Sequence, residues 1–177
     1  VTPVLGTARL RLRPVREGDV DLFFEMLADP ETMAYWSGDP LETREEAGAK
    51  VAQELEWAKG DASKTWIVET HAGEPVGRIT LFAFAGLHRR AEVGLMSRRA
   101  TWGRGFMGEA LDAVVDHAFG TLGLRRLEAD IDPDNARSLR LFEGRGFRRE
   151  GVLRQRWLVR GEWRDSLMLA RLRDDPV

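Results

Sequence analysis

The sequence predicts an α/β fold in which a mixed sheet carries helices on its faces. Two observations point there. Apolar residues switch between period 2 and period 3.6 along the chain in the order β-α-α-β-β-β-α-β-α-β-β. No internal repeat competes with that order, and 177 residues can bury a core without crosslinks. One domain over residues 1–177 is expected.

Leu10 and Leu12 alternate with Arg9, Arg11 and Arg13 before Pro14, which is the pattern of a half-buried strand. Val20, Phe23, Phe24 and Leu27 then recur at helical spacing, ending near Asp29-Pro30. A second helix follows Thr43 with a stripe of Ala47, Val51, Leu55 and Ala58, and Gly60 terminates it. Strands over Trp66 to Thr70 and Val76 to Ala85 are joined by a short His-Ala-Gly-Glu-Pro connection, so they form a hairpin. Ala91 to Ser97 is the next strand. Between Gly105 and Leu122, Phe106, Ala110, Val114 and Ala118 repeat every four residues, and a helix is predicted there. A strand over Leu127 to Ile131 precedes Asp134-Asn135, which supplies N-cap chemistry for a helix carrying Leu139 and Phe142. Strands around Val152 to Val159 and Trp163 to Leu172, turning at Arg160-Gly161-Glu162, complete the chain.

Composition narrows the function. A net charge of −2 gives no general footprint for nucleic acid, and nowhere do 18 apolar residues run together as a membrane span requires. The stretch VTPVLGTARLRLRP lacks the basic-then-apolar layout of a secretory signal, so a cytoplasmic protein with no membrane or nucleic-acid partner is expected. With no cysteine, disulfides, thiolate metal sites and a cysteine acyl-enzyme are excluded. His71, His88 and His117 have no metal-ligand spacing, and no metal is expected.

The segment WGRGFMGEAL holds a literal G-x-G-x-x-G at Gly103, Gly105 and Gly108. Read as a dinucleotide fingerprint it has a strand before it, a helix after it and Asp130 further on. Against that, residues 97–102 intervene between strand and first glycine, and too few strand-helix units follow. The physical content is more general: small residues at a helix start leave backbone N–H groups free for an anion.

AEVGLMSRRATWGRGFMGEAL followed by DPDNARSLRLFEGRGFRREG resembles the GNAT superfamily of acetyl-CoA-dependent N-acetyltransferases, and within it the RimJ/RimL type that acetylates ribosomal-protein N-termini. The resemblance runs from TARLRLRP to WRDSLMLARL. It implies a mixed, mostly antiparallel twisted sheet of about seven strands with helices on both faces. It implies that the pantetheine arm pairs with the backbone of Leu95, Met96 and Ser97. The pyrophosphate would lie on the N–H groups of Gly103, Arg104, Gly105, Phe106, Met107 and Gly108, with help from Arg98, Arg99 and Arg145. Asn135 and Ser138 would face the cofactor arm, and the thioester oxygen would take the N–H near Leu95. Trp102 and Met107 depart from the wider superfamily's loop, tryptophan being common in the RimJ/RimL branch.

Where many members carry a thiolate-protonating tyrosine, this chain has Phe142, so the proton comes from Ser138 or from water, or is unnecessary for a leaving group whose pKa is near that of a free thiol. Glu92 is the general base the resemblance implies, since an ammonium must lose a proton before it attacks a thioester. With neither cysteine nor a Ser-His-Asp arrangement, direct attack in a ternary complex is expected. By the same resemblance, the amine acceptor, a protein N-terminus or a small molecule, would meet Phe24, Met33, Tyr35, Trp36 and Trp157, and homodimers are common for the type. The run Glu42, Glu45, Glu46, Glu54 and Glu56 reads as a solvated helix face. A non-catalytic acyl-CoA sensor and a nicotinamide-dependent enzyme remain as alternatives.

Overall fold

The computed structural model describes residues 2–176. Its strands are β1 (Leu5–Gly6), β2 (Leu10–Pro14), β3 (Lys64–Thr70), β4 (Pro75–Ala85), β5 (Arg90–Ser97), β6 (Arg126–Ile131), β7 (Arg148–Val159) and β8 (Glu162–Leu172). Helices α1 (Val20–Leu27), α2 (Arg44–Lys59), α3 (Phe106–Asp116) and α4 (Ala136–Glu143) connect them. The strands form one eight-stranded sheet in the order β1-β2-β3-β4-β5-β6-β8-β7. Every pairing is antiparallel except β5 with β6. The predicted mixed sheet with helices on both faces is therefore the fold, and the two-residue β1 makes its eighth strand.

Strand alternation divides the core. Trp66 and Val68 of β3 join Val93, Phe106, Leu111, Val114, Leu139 and Phe142 in a cluster under α3 and α4. Ile67, between them in sequence, joins Phe23, Met26, Val51 and Met96 under α1 and α2. Helix α2 starts with a capping box in which Glu46 accepts from the Thr43 N–H at 2.9 Å.

Several expectations are corrected. Glu54 belongs to no solvated face. It is buried and accepts from Thr65 Oγ1 and from Arg78 Nη1 at 2.7 Å each, beside Leu55, which packs against the α1/α2 core as expected. The helix predicted to reach Leu122 stops at Asp116, and His117–Thr121 widens into a π turn. That widening seats His117 edge-on against buried Trp66, with ring centroids 5.8 Å apart. Strand β7 begins at Arg148, earlier than predicted, and is exposed along almost its whole length as the sheet's edge.

Glycine 77 of β4 faces Ser97 at the end of β5, and a Cβ there would overlap the Met96 carbonyl oxygen and Ser97 Cα. Backbone cannot yield as a side chain does. Gly77→Ala should lower stability by about 2 kcal/mol, read as a lower urea midpoint at unchanged slope.

Candidate active site

Strands β5 and β6 pair only from Arg90–Glu92 to Arg126–Glu128 and then part. Beyond that point Val93–Ser97 has β4 on one side and no strand on the other. The wedge so opened is lined by Val93, Gly94 and Leu95 of β5 and by Asp130, Ile131 and Asp132 after the divergence, with Asn135, Ser138 and Phe142 of the α4 region closing it. It continues into a cleft lined by Leu95, Met96, Ser97, Trp102, Met107, Asn135 and Ser138. Residues far apart in sequence but expected together thus do meet. The Met96 side chain is buried in the α1/α2 core, so the backbone at this position is what serves the cleft.

The glycine loop stands at the cleft's end. Gly103 and Gly105 have φ of +75° and +74°, a conformation glycine adopts without strain. Among the described residues the N–H groups of residues 103–108 have no hydrogen-bond partner, and the first bond into α3 runs from Glu109 N to Gly105 O at 3.3 Å. Consecutive free donors at a helix start form an anion cradle. Phe106 points away into the core, between Arg9 and Arg104, whose guanidinium carbons lie 4.8 and 4.6 Å from its ring centre. Met107, larger than the resemblance leads one to expect, is buried in the α3/α4 core and also lines the cleft.

The predicted cations fare unevenly. Arg104 reaches Glu74 at 3.2 Å. Arg98 grips both Glu25 oxygens at 2.8 and 2.9 Å and the Pro75 carbonyl at 2.8 Å, so it braces the strand end. Arg99 pairs with Glu31 at 3.0 Å. Arg145 does not line the cleft: it lies over Gly108, whose missing side chain makes the room, with Nε 3.5 Å from Asp112. The cations that do line it are Arg137 and Arg140, neither paired with a carboxylate among the described residues. Arg137 stacks 3.5 Å from the Trp102 ring centre, while Trp102 Nε1 donates to Ser97 O at 3.2 Å. Sequence reasoning missed both arginines, although they flank Ser138 at the start of α4, where a cation can look back at the cleft.

Asn135 Oδ1 caps α4 by accepting from Ser138 N at 3.1 Å. The Ser138 side chain borders both the wedge and the cleft. Phe142 is buried at the wedge's end, edge-on to Phe147 at 5.0 Å, and brings no proton.

On the other side a cavity of about 450 Å³ contains Glu92, Asp130, Asp132, Asp165, Tyr35, Trp36 and Trp157. Its aspartates are engaged. Asp130 takes Arg156 Nε at 2.9 Å, Trp157 Nε1 at 3.1 Å and the Ser166 hydroxyl, and Arg164 clamps Asp132 and Asp134. Arg90 pairs with Glu128 at 2.7 Å, leaving Glu92 without a hydrogen bond or ion pair among the described residues. Burial raises the Glu92 pKa from its ordinary value, with Glu128 and Asp130 adding repulsion and Arg156 and Arg90 opposing the rise. Tyr35 and Trp36 line this cavity, the wedge and the cleft, whereas Met33 is core and Phe24 packs against it.

An open strand edge with a backbone anion cradle beyond one end and, at the other, a carboxylate without a hydrogen bond or ion pair among the described residues is an arrangement suited to a phosphate-bearing cosubstrate and a proton-losing nucleophile. The particular family follows from comparison with known proteins: the Acetyltransferase (GNAT) domain matches residues 9–148, so this chain belongs to the GNAT family. It is an acyltransferase that uses acetyl-CoA. The uncharacterized N-acetyltransferase YoaA of Bacillus subtilis is 34% identical over 154 residues, 86% of this chain and 87% of its own length. The structure of Mycobacterium smegmatis RimJ in complex with CoA-disulfide superposes with a TM-score of 0.87 at 25% identity, covering 96% of this chain and 87% of that one. Spermidine N-acetyltransferase from Vibrio cholerae, in complex with CoA and spermine, shares the fold with a TM-score of 0.86 at 22% identity, covering 96% and 98%.

A raised carboxylate pKa has a signature in stability. Between its unfolded and folded pKa values Glu92 binds more proton in the native state, so stability falls as pH rises through that window and the penalty is complete above it. Glu92→Gln should therefore melt higher than the parent at pH 7, and the gap should close as pH falls below the ordinary carboxylate range.

Proposed function

We propose that this enzyme acetylates a primary amine by direct attack in a ternary complex, with Glu92 as general base. The single observation supporting this reading is Glu92 itself: a carboxylate with no hydrogen bond or ion pair among the described residues, at the last paired position before the wedge opens, in a cavity whose other carboxylates are engaged. Bound acetyl-CoA supplies an activated carbonyl and a thiolate leaving group. The free backbone of Leu95 to Ser97 holds the pantetheine arm, and the N–H near Leu95 donates to the thioester oxygen. The N–H groups of Gly103, Arg104, Gly105, Phe106, Met107 and Gly108 take the pyrophosphate, with Arg137 and Arg140 adding charge along the cleft. Asn135 and Ser138 face the arm, and Ser138 or water protonates the departing sulfur.

The acceptor enters through the cavity of Tyr35, Trp36 and Trp157, as a protein N-terminus in the RimJ/RimL manner or as a small amine. The same reading takes the enzyme as cytoplasmic, without a nucleic-acid or membrane partner, and compatible with a homodimer.

Release of free thiol from acetyl-CoA, followed across peptides, polyamines and aromatic and aliphatic amines, tests the proposal. Glu92→Gln should lose at least about 100-fold in kcat while its melting temperature still rises with acetyl-CoA. In the parent, kcat/KM should fall with decreasing pH along an acid limb shifted upward from that of an ordinary glutamate. Full activity of Glu92→Gln at neutral pH removes Glu92 from the role. Parallel melts should show stabilisation by acetyl-CoA and none by NAD; the reverse would restore the dinucleotide reading.

A further inference from the structure

Beside Gly94, on the α1/α2 face of the sheet, a second cavity of about 320 Å³ opens between α2 and β4. Its walls are Trp36, Trp57 and Phe82, and its floor is polar. There Arg78 pairs with Glu54 at 2.7 Å, and Ser63 contributes a buried Oγ without a hydrogen-bond partner among the described residues. Apart from the Glu54 bond, the Arg78 guanidinium makes no hydrogen bond among the described residues, and it lies 5.1 Å from the Phe23 ring centre.

This cavity shares Trp36, Phe82 and Gly94 with the cavity that contains Glu92. Position 94 is where the two meet. The Phe82 ring lies over Gly94 so closely that a Cβ there would stand 3.3 Å from Phe82 Cε1. Arg78, Thr80 and Phe82 occupy alternate positions of β4 opposite Met96, Gly94 and Glu92, so they share one face. At about 3.3 Å per residue the floor lies roughly 13 Å along the strand from Glu92.

A primary amine at Glu92 therefore has, within one small molecule's length, a slot with ring walls and a hydrogen-bonding end. The slot is a poor place for a second ammonium, because its one carboxylate is already neutralised by Arg78. Ring faces and edges on several sides suit a planar apolar group.

We propose that this cavity receives an aromatic group carried by the amine acceptor, so that the enzyme selects aromatic over aliphatic and polycationic amines. This rests on the amine-acetylation reading above. The aromatic group can belong to a small arylalkylamine or to the first residue of a peptide, and the substrates of the test separate these sources.

Thiol release is measured with phenethylamine, propylamine, spermidine, and tripeptides beginning with phenylalanine or alanine. Phenethylamine should exceed propylamine and spermidine by about 30-fold in kcat/KM. A matching preference among the tripeptides identifies a peptide source, and its absence a small-molecule one. Ala62→Leu, which fills the cavity from its rim, and Trp57→Ala, which removes a wall, should each bring the phenethylamine-to-propylamine ratio towards one. Both positions are exposed, and circular dichroism checks that the variants fold. Turnover of aliphatic and aromatic amines at equal kcat/KM overturns the aromatic slot and leaves acetylation standing. If no amine is turned over, acetylation falls, and calorimetric titration of phenethylamine then decides the slot: heat abolished by Ala62→Leu supports it, and no heat with the parent overturns it.

Discussion

The structure turns on one constraint: two parallel strands in the middle of the sheet pair for three positions and then separate. A parallel pair that stops early leaves backbone donors and acceptors that must be satisfied some other way. Ordinarily this is a defect. Here the rest of the molecule holds it open. Phe142 and Phe147 pack at its closed end, Trp102 ties to the Ser97 carbonyl at its far end, and Arg98 anchors the strand end to Glu25 and Pro75. Strand β4 bears an extra residue opposite β5, between Phe82 and Ala85, and Ala83 there has a φ of +50°. Such a bulge increases local twist, in the direction a diverging sheet needs.

Charge is arranged around the same wedge with a clear division. On the cofactor side, free N–H groups and the unpaired Arg137 and Arg140 leave positive potential in the cleft. On the acceptor side each carboxylate but Glu92 and Asp165 has a guanidinium partner, and Asp165 accepts from Gln155 N at 2.9 Å. A cavity full of free carboxylates would bind a cation tightly and share its protons among several sites. Engaging all but one leaves Glu92 as the cavity's one carboxylate without a hydrogen bond or ion pair among the described residues, and burial makes it more basic than an ordinary glutamate.

Much of this was legible in the sequence, because local patterns record local physics. Alternation in β2, β5 and β6, the α3 stripe and the glycine loop each depend on neighbours a few residues away. What stayed hidden involves distant partners. Arg98 resembles a phosphate ligand until Glu25, 73 residues away, is seen to hold it. Glu54 resembles a surface charge because its buried partner Arg78 lies on a strand rather than on its own helix. Arg145 resembles a cleft cation, yet Gly108 gives it a resting place against α3. For Arg98 and Glu54 the tertiary structure supplies an ion-pair partner that no local pattern shows. Conversely, nothing local to Arg137 and Arg140 singles them out, and only the topology brings them to the cleft.

Loss of the tyrosine at Phe142 fits this division of labour. A thiol leaving group has a pKa near 8.5, so its thiolate departs without full proton transfer, whereas an aliphatic ammonium near 10.4 cannot attack until it is deprotonated. On the proposed reading the difficult proton therefore lies on the acceptor amine, beside Glu92. At the cofactor end a hydrophobic Phe142 is more useful than a phenol. It packs beside Phe147 in the α3/α4 core where it lines the wedge, and in the proposed mechanism the sulfur's weak demand falls to Ser138 or solvent.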